Sequence, residues 1–270
     1  MTGFLQHLVN GLIIGGAYAL IGIGMTLIFG IMRVVNFAHG ELYMLGAYMV
    51  LTFSAILGIN FFLSMAISII TTAIFGFLLE KTVLHPLRDR PIEISMLAMI
   101  GISIVLKEGA RFIWTPVPRN ILNPFRPIAL AIGPVRVTEL RIFIAIVALL
   151  LIVATHFLVR RTWLGKSIRA TFQDKDIAAL LGVRVDRIYS FTFAFGSSLA
   201  AVSGTLLGTM FVVKPTMGEF AIVKAFAVVI LGGMGSFAGA IFGGVILGVG
   251  ENLSAAYIAS GYKENASFLL

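Results

Sequence analysis

Of 270 residues, 59% are hydrophobic and 12% are charged, and the mean hydropathy is +1.03. A soluble domain needs roughly 25% charged residues to cover its surface, so this composition belongs to a chain dissolved in lipid. The absence of cysteine excludes disulfides, thiolate metal ligands and a cysteine nucleophile, and the net charge of +8 fits basic loops at a membrane surface better than nucleic acid.

Runs of about 18 or more apolar residues read as membrane-spanning helices. Along the chain they fall at 8–32, 42–79, 94–113, 142–159, 188–213 and 225–250. The second run is long enough for two spans, with a break at Gly58-Ile59-Asn60, and the third carries Lys107, Glu108 and Arg111 near one end. Residues 266–270 read as the first turn of a further span that does not continue. The pattern predicts an all-α, polytopic transmembrane helical bundle of about seven spans plus that truncated last one, with broken or re-entrant helices. A β-barrel would need alternating apolar and polar residues in segments of roughly ten, which stretches such as 67–79 lack. The first run has no basic region before it and is too long for a cleaved signal.

No linker divides the chain, so residues 1–270 read as a single membrane domain. Polar connections are expected at 33–41, 80–93, 114–138, 160–187, 214–224 and 251–264. The 114–138 segment contains Pro116, Pro118, Pro124, Pro127 and Pro134 and reads as an irregular surface connection. The 160–187 segment is the largest charged one; it lacks proline, its Ala178-Ala179-Leu180-Leu181 stretch favours helix, and Gly182 is a plausible stop. Placing 33–41, 80–93 and 160–187 in the cytoplasm puts 11 of the 20 Lys and Arg there, which leans towards an external N-terminus.

Three motifs stand out. Gly11, Gly15 and Ala19 recur every four residues, as do Gly239/Gly243 and Gly244/Gly248; in lipid such small residues mark close helix contacts. "NFAHGE", 36–41, places Asn36, His39 and Glu41 at the start of a span, with Tyr43 on the same helical face as His39. Asn36 can cap that helix, Glu41 complements the positive end of its dipole, and the face reads either as a capped helix start or as a polar element of a solute path. One His and one Glu two residues apart are not a metal-ligand set. "LGGMGSFAGAIFGG", 231–244, contains a Gly-x-Gly-x-x-Ala pattern, but its flanks are uncharged and no βαβ unit is in reach, so a nucleotide site is not expected. A helix broken at Gly232, Gly233, Gly235 and Ser236 is the preferred reading, its free backbone groups suiting a polar solute, against a simple kink. Glu108 and Arg111 can neutralise each other at i, i+3. No GxSxG, HExxH or Walker A motif is present, so this chain is not expected to be an enzyme or to carry a cofactor of its own.

The stretches 15–48, 164–183 and 228–251 together resemble the permease subunits of bacterial ABC importers for branched-chain amino acids, of the LivH/LivM type and LivH-like in particular. The resemblance runs in order over nearly the whole chain; the departure is a missing final span. It implies an inner-membrane protein that forms half of a translocation path. The implied partners are a second, related permease, two cytoplasmic ATP-binding subunits and a periplasmic solute-binding protein. It also implies that 160–187 is the coupling element docking on the ATPase, with Arg169, Asp174, Asp176, Ala178 and Gly182 in its matching stretch. Urea and short-amide importers use closely similar permeases, so the solute stays open between these and amino acids. A stand-alone secondary transporter or channel is the reading from another class; it would need acidic residues in mid-membrane, and Glu41, Glu80 and Glu251 all read as lying near span ends.

Overall fold

The computed structural model describes residues 2–133 and 135–257, and the expected turn at 266–270 lies outside them. The elements are α1 (Thr2–Met32), α2 (His39–Leu51), α3 (Phe61–Leu79), α4 (Ile92–Trp114), β1 (Ala129–Ile132), β2 (Val135–Thr138), α5 (Glu139–Arg161), α6 (Trp163–Gln173), α7 (Lys175–Leu180), α8 (Val185–Met210), α9 (Met217–Gly232) and α10 (Phe237–Tyr257). α2 and α3 each continue into a π-helical turn, at Thr52–Ile56 and Glu80–Leu84. Among the described residues five helices, α1, α3, α5, α8 and α10, are long and apolar enough to cross a membrane. α4 has the length but carries Lys107, Glu108 and Arg111, while α2 and α9 are short. The chain is therefore an all-α, multi-pass membrane protein. Among the described residues the one sheet is the β1–β2 hairpin in the proline-rich connection, with Ala129 opposite Thr138.

α1 is the axis, and its two termini, the Thr2 end and the Met32 end, orient the rest. α8 lies antiparallel to it: Gly24 meets Gly196, and Ser203 Oγ donates to the Ala17 carbonyl at 2.7 Å. α10 is also antiparallel, with Gly11, Gly15 and Ala19 set against Gly244 and Gly248. The Gly11/Gly15/Ala19 and Gly244/Gly248 repeats read from the sequence are thus each other's partners within one bundle, whereas Gly239 and Gly243 face α9. About 83% of the α1 window is buried, against 17% for α5, so α1 and α8 form the core while α3, α4 and α5 turn Ile70, Leu97 and Val153 outward as a lipid-facing surface does. α3 packs through Ser64, Ser68, Thr72 and Gly76, a four-residue repeat on its buried face. Ser68 Oγ donates to the Gly46 carbonyl at 2.7 Å, and Gly76 abuts Ser197.

The polar connections are narrower than expected. Residues 39–41, 80–84, 217–224 and 251–257 are helical, so Glu41, Glu80, Lys224 and Glu251 sit on helices and not in loops. Hydropathy ends a span wherever a charge occurs, whereas a charge with a partner inside the bundle lets the helix continue. The break at Gly232–Ser236 is present, but it reverses the chain: Gly239 meets Gly232 and Gly243 meets Val228, which makes α9 and α10 an antiparallel hairpin.

A methyl built on Gly204 would run into the Tyr43 carbonyl, and one built on Gly101 would meet nothing within 4 Å. Gly204→Ala is expected to cost about 1–3 kcal/mol through overpacking, seen as a lower unfolding midpoint in fluorescence-detected size exclusion. Gly101→Ala should leave that midpoint unchanged or slightly raised, because alanine is the better helix former.

Candidate translocation site

Arg33 closes α1 with φ of 53°, donating its amide to the Phe29 carbonyl at 2.8 Å. The chain then turns back alongside the helix it has left. The Asn36 side-chain oxygen accepts from the Ala38 amide at 3.1 Å, and Ala38, not Asn36, is the N-cap residue of α2. His39, fully buried, donates Nε2–H to the Ile21 carbonyl at 3.1 Å; a carbonyl only accepts, which fixes the tautomer. Ile21 lies 11 residues before Met32, about 16 Å along the axis at 1.5 Å per residue, so α2 starts beside the middle of α1, and residues 33–38 make the first half of this crossing in non-helical backbone. Ser103 Oγ of α4 donates to the buried Glu41 carboxylate at 3.3 Å. Gly40 touches Gly218 at the start of α9, and a methyl on Gly218 would lie 2.6 Å from the Glu41 carboxylate. Three buried polar atoms here, Asn36 Nδ2, His39 Nδ1 and Glu41 Oε2, have no hydrogen-bond partner among the described residues.

Next to this helix start is a cavity of about 450 Å³. Tyr18 and Ile21 of α1, Tyr43 of α2, Leu207 of α8, and Met217 and Lys224 of α9 contribute to its wall. Of the four residues expected on this face, Tyr43 lines the cavity, while Asn36, His39 and Glu41 pack behind it and hold α2 in place. Sequence reading missed the charged cluster beside it. Glu251 of α10 is fully buried; its Oε2 accepts from Tyr18 Oη at 2.8 Å and from Lys224 Nζ at 2.9 Å. Lys224 also donates to Tyr18 Oη at 2.5 Å, and its ammonium lies 4.6 Å from that ring's centre. The clue available in the sequence was one cation and one anion, Lys224 and Glu251, each adjoining the uncharged 225–250 run.

The glycine break is elsewhere. Gly233 and Gly235 have φ of 83° and 86°, and Ser236 Oγ accepts from the Gly239 amide at 3.0 Å to start α10. Gly235 and Gly30 both face the Phe172 ring. Gly232, Gly233, Gly235 and Ser236 therefore sit at the Met32 end against α6, apart from the cavity.

The charged 160–187 segment folds into α6 and α7. Thr162 Oγ1 caps α6 by accepting from the Gly165 amide at 3.1 Å; Asp174 caps α7 by accepting from the Asp176 and Ile177 amides, each at 2.9 Å. Arg169 donates to the Val159 carbonyl, Ala178 is buried, Asp176 is exposed, and Gly182 ends α7 with φ of 85°. The expected short helix and its glycine stop are both there; α6 was not foreseen, although Leu164, Ile168 and Phe172 recur at helical spacing. Around this pair Trp163, Leu180 and Leu181 are 77%, 87% and 78% exposed, an apolar surface flanked by charges.

The family described as "Branched-chain amino acid transport system / permease component" matches residues 7–270. The chain belongs to that family. It is 37% identical over 285 residues to the high-affinity branched-chain amino acid transport system permease protein LivH of Salmonella typhimurium, covering 99% of this chain and 91% of LivH. It is 36% identical over 282 residues to the corresponding permease BraD of Pseudomonas aeruginosa, covering 98% and 91%. It is 28% identical over 262 residues to the permease LivM of Salmonella typhimurium, covering 87% of this chain and 61% of LivM.

At its Met32 end this permease carries a third buried acid. Glu80, fully buried, accepts from Ser190 Oγ at 2.5 Å and pairs with Arg88, which also pairs with Asp186 and lies 4.5 Å from the centre of the Tyr189 ring. The network ties the end of α3 to the start of α8, beside a cavity of about 560 Å³ that Arg33, Asp174 and Asp176 also line. Removing one partner of a buried ion pair typically costs about 3–5 kcal/mol, because the other charge is left uncompensated. Arg88→Met should therefore lower the unfolding midpoint sharply, and adding Glu80→Gln should restore most of the loss; a double variant as unstable as the single one would show that the arginine acts through packing.

Proposed function

We propose that this permease forms half of the translocation path of a bacterial ABC importer for branched-chain amino acids, working in the inner membrane. The observation that carries the reading is the full-length likeness to LivH and BraD, whose names state that transport system. The further likeness to LivM supports pairing with a second, related permease. Two separate ATP-binding subunits would supply the energy and a periplasmic binding protein would deliver the solute. This chain would then have no catalytic centre and bind no cofactor itself.

Within that reading the residues divide into two groups. Tyr43 and the cavity form part of the solute path at the Thr2 end, with Asn36, His39 and Glu41 holding the half-membrane helix that shapes it. Arg169, Asp174, Asp176, Ala178 and Gly182 build the coupling pair α6–α7 at the other end, whose exposed Leu180 and Leu181 suit a protein partner. Gly232, Gly233, Gly235 and Ser236 move from the solute path to the joint between the two groups.

The test is ATP-dependent uptake of leucine by proteoliposomes holding the complete complex, compared with urea and acetamide under the same conditions. Leucine uptake that requires both nucleotide and binding protein is the expected result; uptake without nucleotide would make the chain a secondary transporter, and uptake of urea alone would move it to the amide importers. Asp176→Lys reverses an exposed charge without touching the Asp174 cap. It is expected to lower uptake about tenfold or more, the scale of one lost charged contact at a docking surface, while ATPase activity persists and the protein still inserts. Unchanged coupling of hydrolysis to uptake would remove α7 from the docking surface.

A further inference from the structure

We propose that the cavity of about 450 Å³ beside α2 is a subsite of this permease for a carboxylate group, with Lys224 as the receiving cation and Glu251 and Tyr18 as its anchors. The inference rests on the transport function proposed above and adds which solute chemistry this chain itself recognises.

The wall has two chemical parts. Ile21, Leu207, Met217 and Phe220 form an apolar surface, and Lys214 and Lys224 supply two cations. Among the described residues, no aspartate or glutamate lines the space. A cavity of this size falls in the range of small-molecule sites, roughly 300–1,000 Å³. Apolar wall and cations together match a solute with an aliphatic chain and a carboxylate, and match urea or an amide poorly.

Charge accounting points the same way. Glu251, packed behind Lys224, neutralises one of the two ammonium groups. Lys214 lies 5.0 Å from the centre of the Phe220 ring and, among the described residues, makes no ion pair. One positive charge is thus surplus at the wall, and a carboxylate supplies its complement. Lys224 is also positioned in advance. An ammonium has three donors; one goes to Glu251 and one to Tyr18, which leaves the third for a ligand. A lysine on a flexible four-carbon stem would otherwise lose rotamer freedom on binding, and the anchors have already fixed it.

The experiment measures equilibrium binding of tritiated leucine to the complete purified complex without ATP, with 4-methylpentanoate and leucinamide as competitors. The first keeps the carboxylate and lacks the ammonium; the second keeps the ammonium and has an amide in place of the carboxylate. The carboxylate is expected to compete about tenfold better, as one charge-assisted hydrogen bond supplies. Lys224→Met removes the cation bonded to a buried carboxylate and is liable to misfold, so the double variant Lys224→Met/Glu251→Gln, which removes both charges, is measured beside it. In that variant the ratio should fall to about one, and in Lys224→Arg it should persist. Equal competition by leucinamide in the unaltered complex, a ratio unchanged in the double variant, or absent binding alongside intact ATP-driven leucine uptake would each overturn the assignment and leave the function standing. A complex that imports no aliphatic amino acid at all would overturn the function itself.

Discussion

Backbone-to-backbone approach of α1 and α10 is the contact on which the bundle depends. Lipid tails are as apolar as leucine, so two helices in a membrane gain little from hiding apolar surface and must gain from proximity. Gly11, Gly15 and Ala19 let α10 come close enough that a methyl on Gly15 would sit 2.8 Å from the Gly244 carbonyl oxygen. The same device recurs where α2 meets α8, at Gly46 against Ala201, and where α9 turns into α10, at Gly232 against Gly239. With 29 glycines in 270 residues, the chain uses absent side chains as its main packing tool.

Close backbones leave little room for water, and that governs the acids. Glu41, Glu80 and Glu251 are all almost fully buried. A buried carboxylate is tolerable only with partners, and each has recruited them from distant sequence. Glu80 takes Arg88 eight residues on and Ser190 from another helix; Glu251 takes Lys224 and Tyr18; Glu41 takes Ser103. Each group ties together helices that are not neighbours in the chain. These are charge and hydrogen-bond links in places where glycine contact alone would let helices slide.

What the sequence disclosed follows from this division. Glycine spacing is local, so the packing faces of α1 and α10 were legible, as were the apolar runs, the break at Gly58–Asn60 and the stop at Gly182. Which glycine face meets which was not, because pairing is a tertiary fact. The buried acids were illegible for a sharper reason: an unpaired Glu80 or Glu251 would indeed end a span, and only the partner 110 or 233 residues away makes it a core residue. The start of α2 at mid-bundle was visible only as the odd composition of "NFAHGE". Its depth is set by the His39 bond to Ile21, which no spacing rule predicts. The Gly232–Ser236 segment was legible as a break but not as a reversal, since a helix that kinks and a helix that turns back need the same glycines.

That reversal also gives α9 a mechanical position. Its beginning carries Met217, Phe220 and Lys224 into the wall of the cavity, and its end, Gly232, leads straight into the turn that Phe172 of α6 covers. A 16-residue helix spans about 24 Å at 1.5 Å per residue, and as a hydrogen-bonded rod it transmits displacement with little loss. The turn beneath it has two glycines at positive φ, and Gly235 lies directly against the Phe172 ring, so a shift of α6 reaches α9 through this contact. In the proposed cycle, motion of α6 on the ATPase side would tilt α9 about this turn. Lys224 lies halfway along α9, about 12 Å from Gly232 at 1.5 Å per residue, and is bonded to Glu251 on α10. Movement of α9 against α10 would therefore change the Lys224–Glu251 distance first, and an ammonium pulled from its anchor and a carboxylate that has lost its receiving cation are two results of one displacement. Release of solute and motion of the coupling helices then need no separate signal.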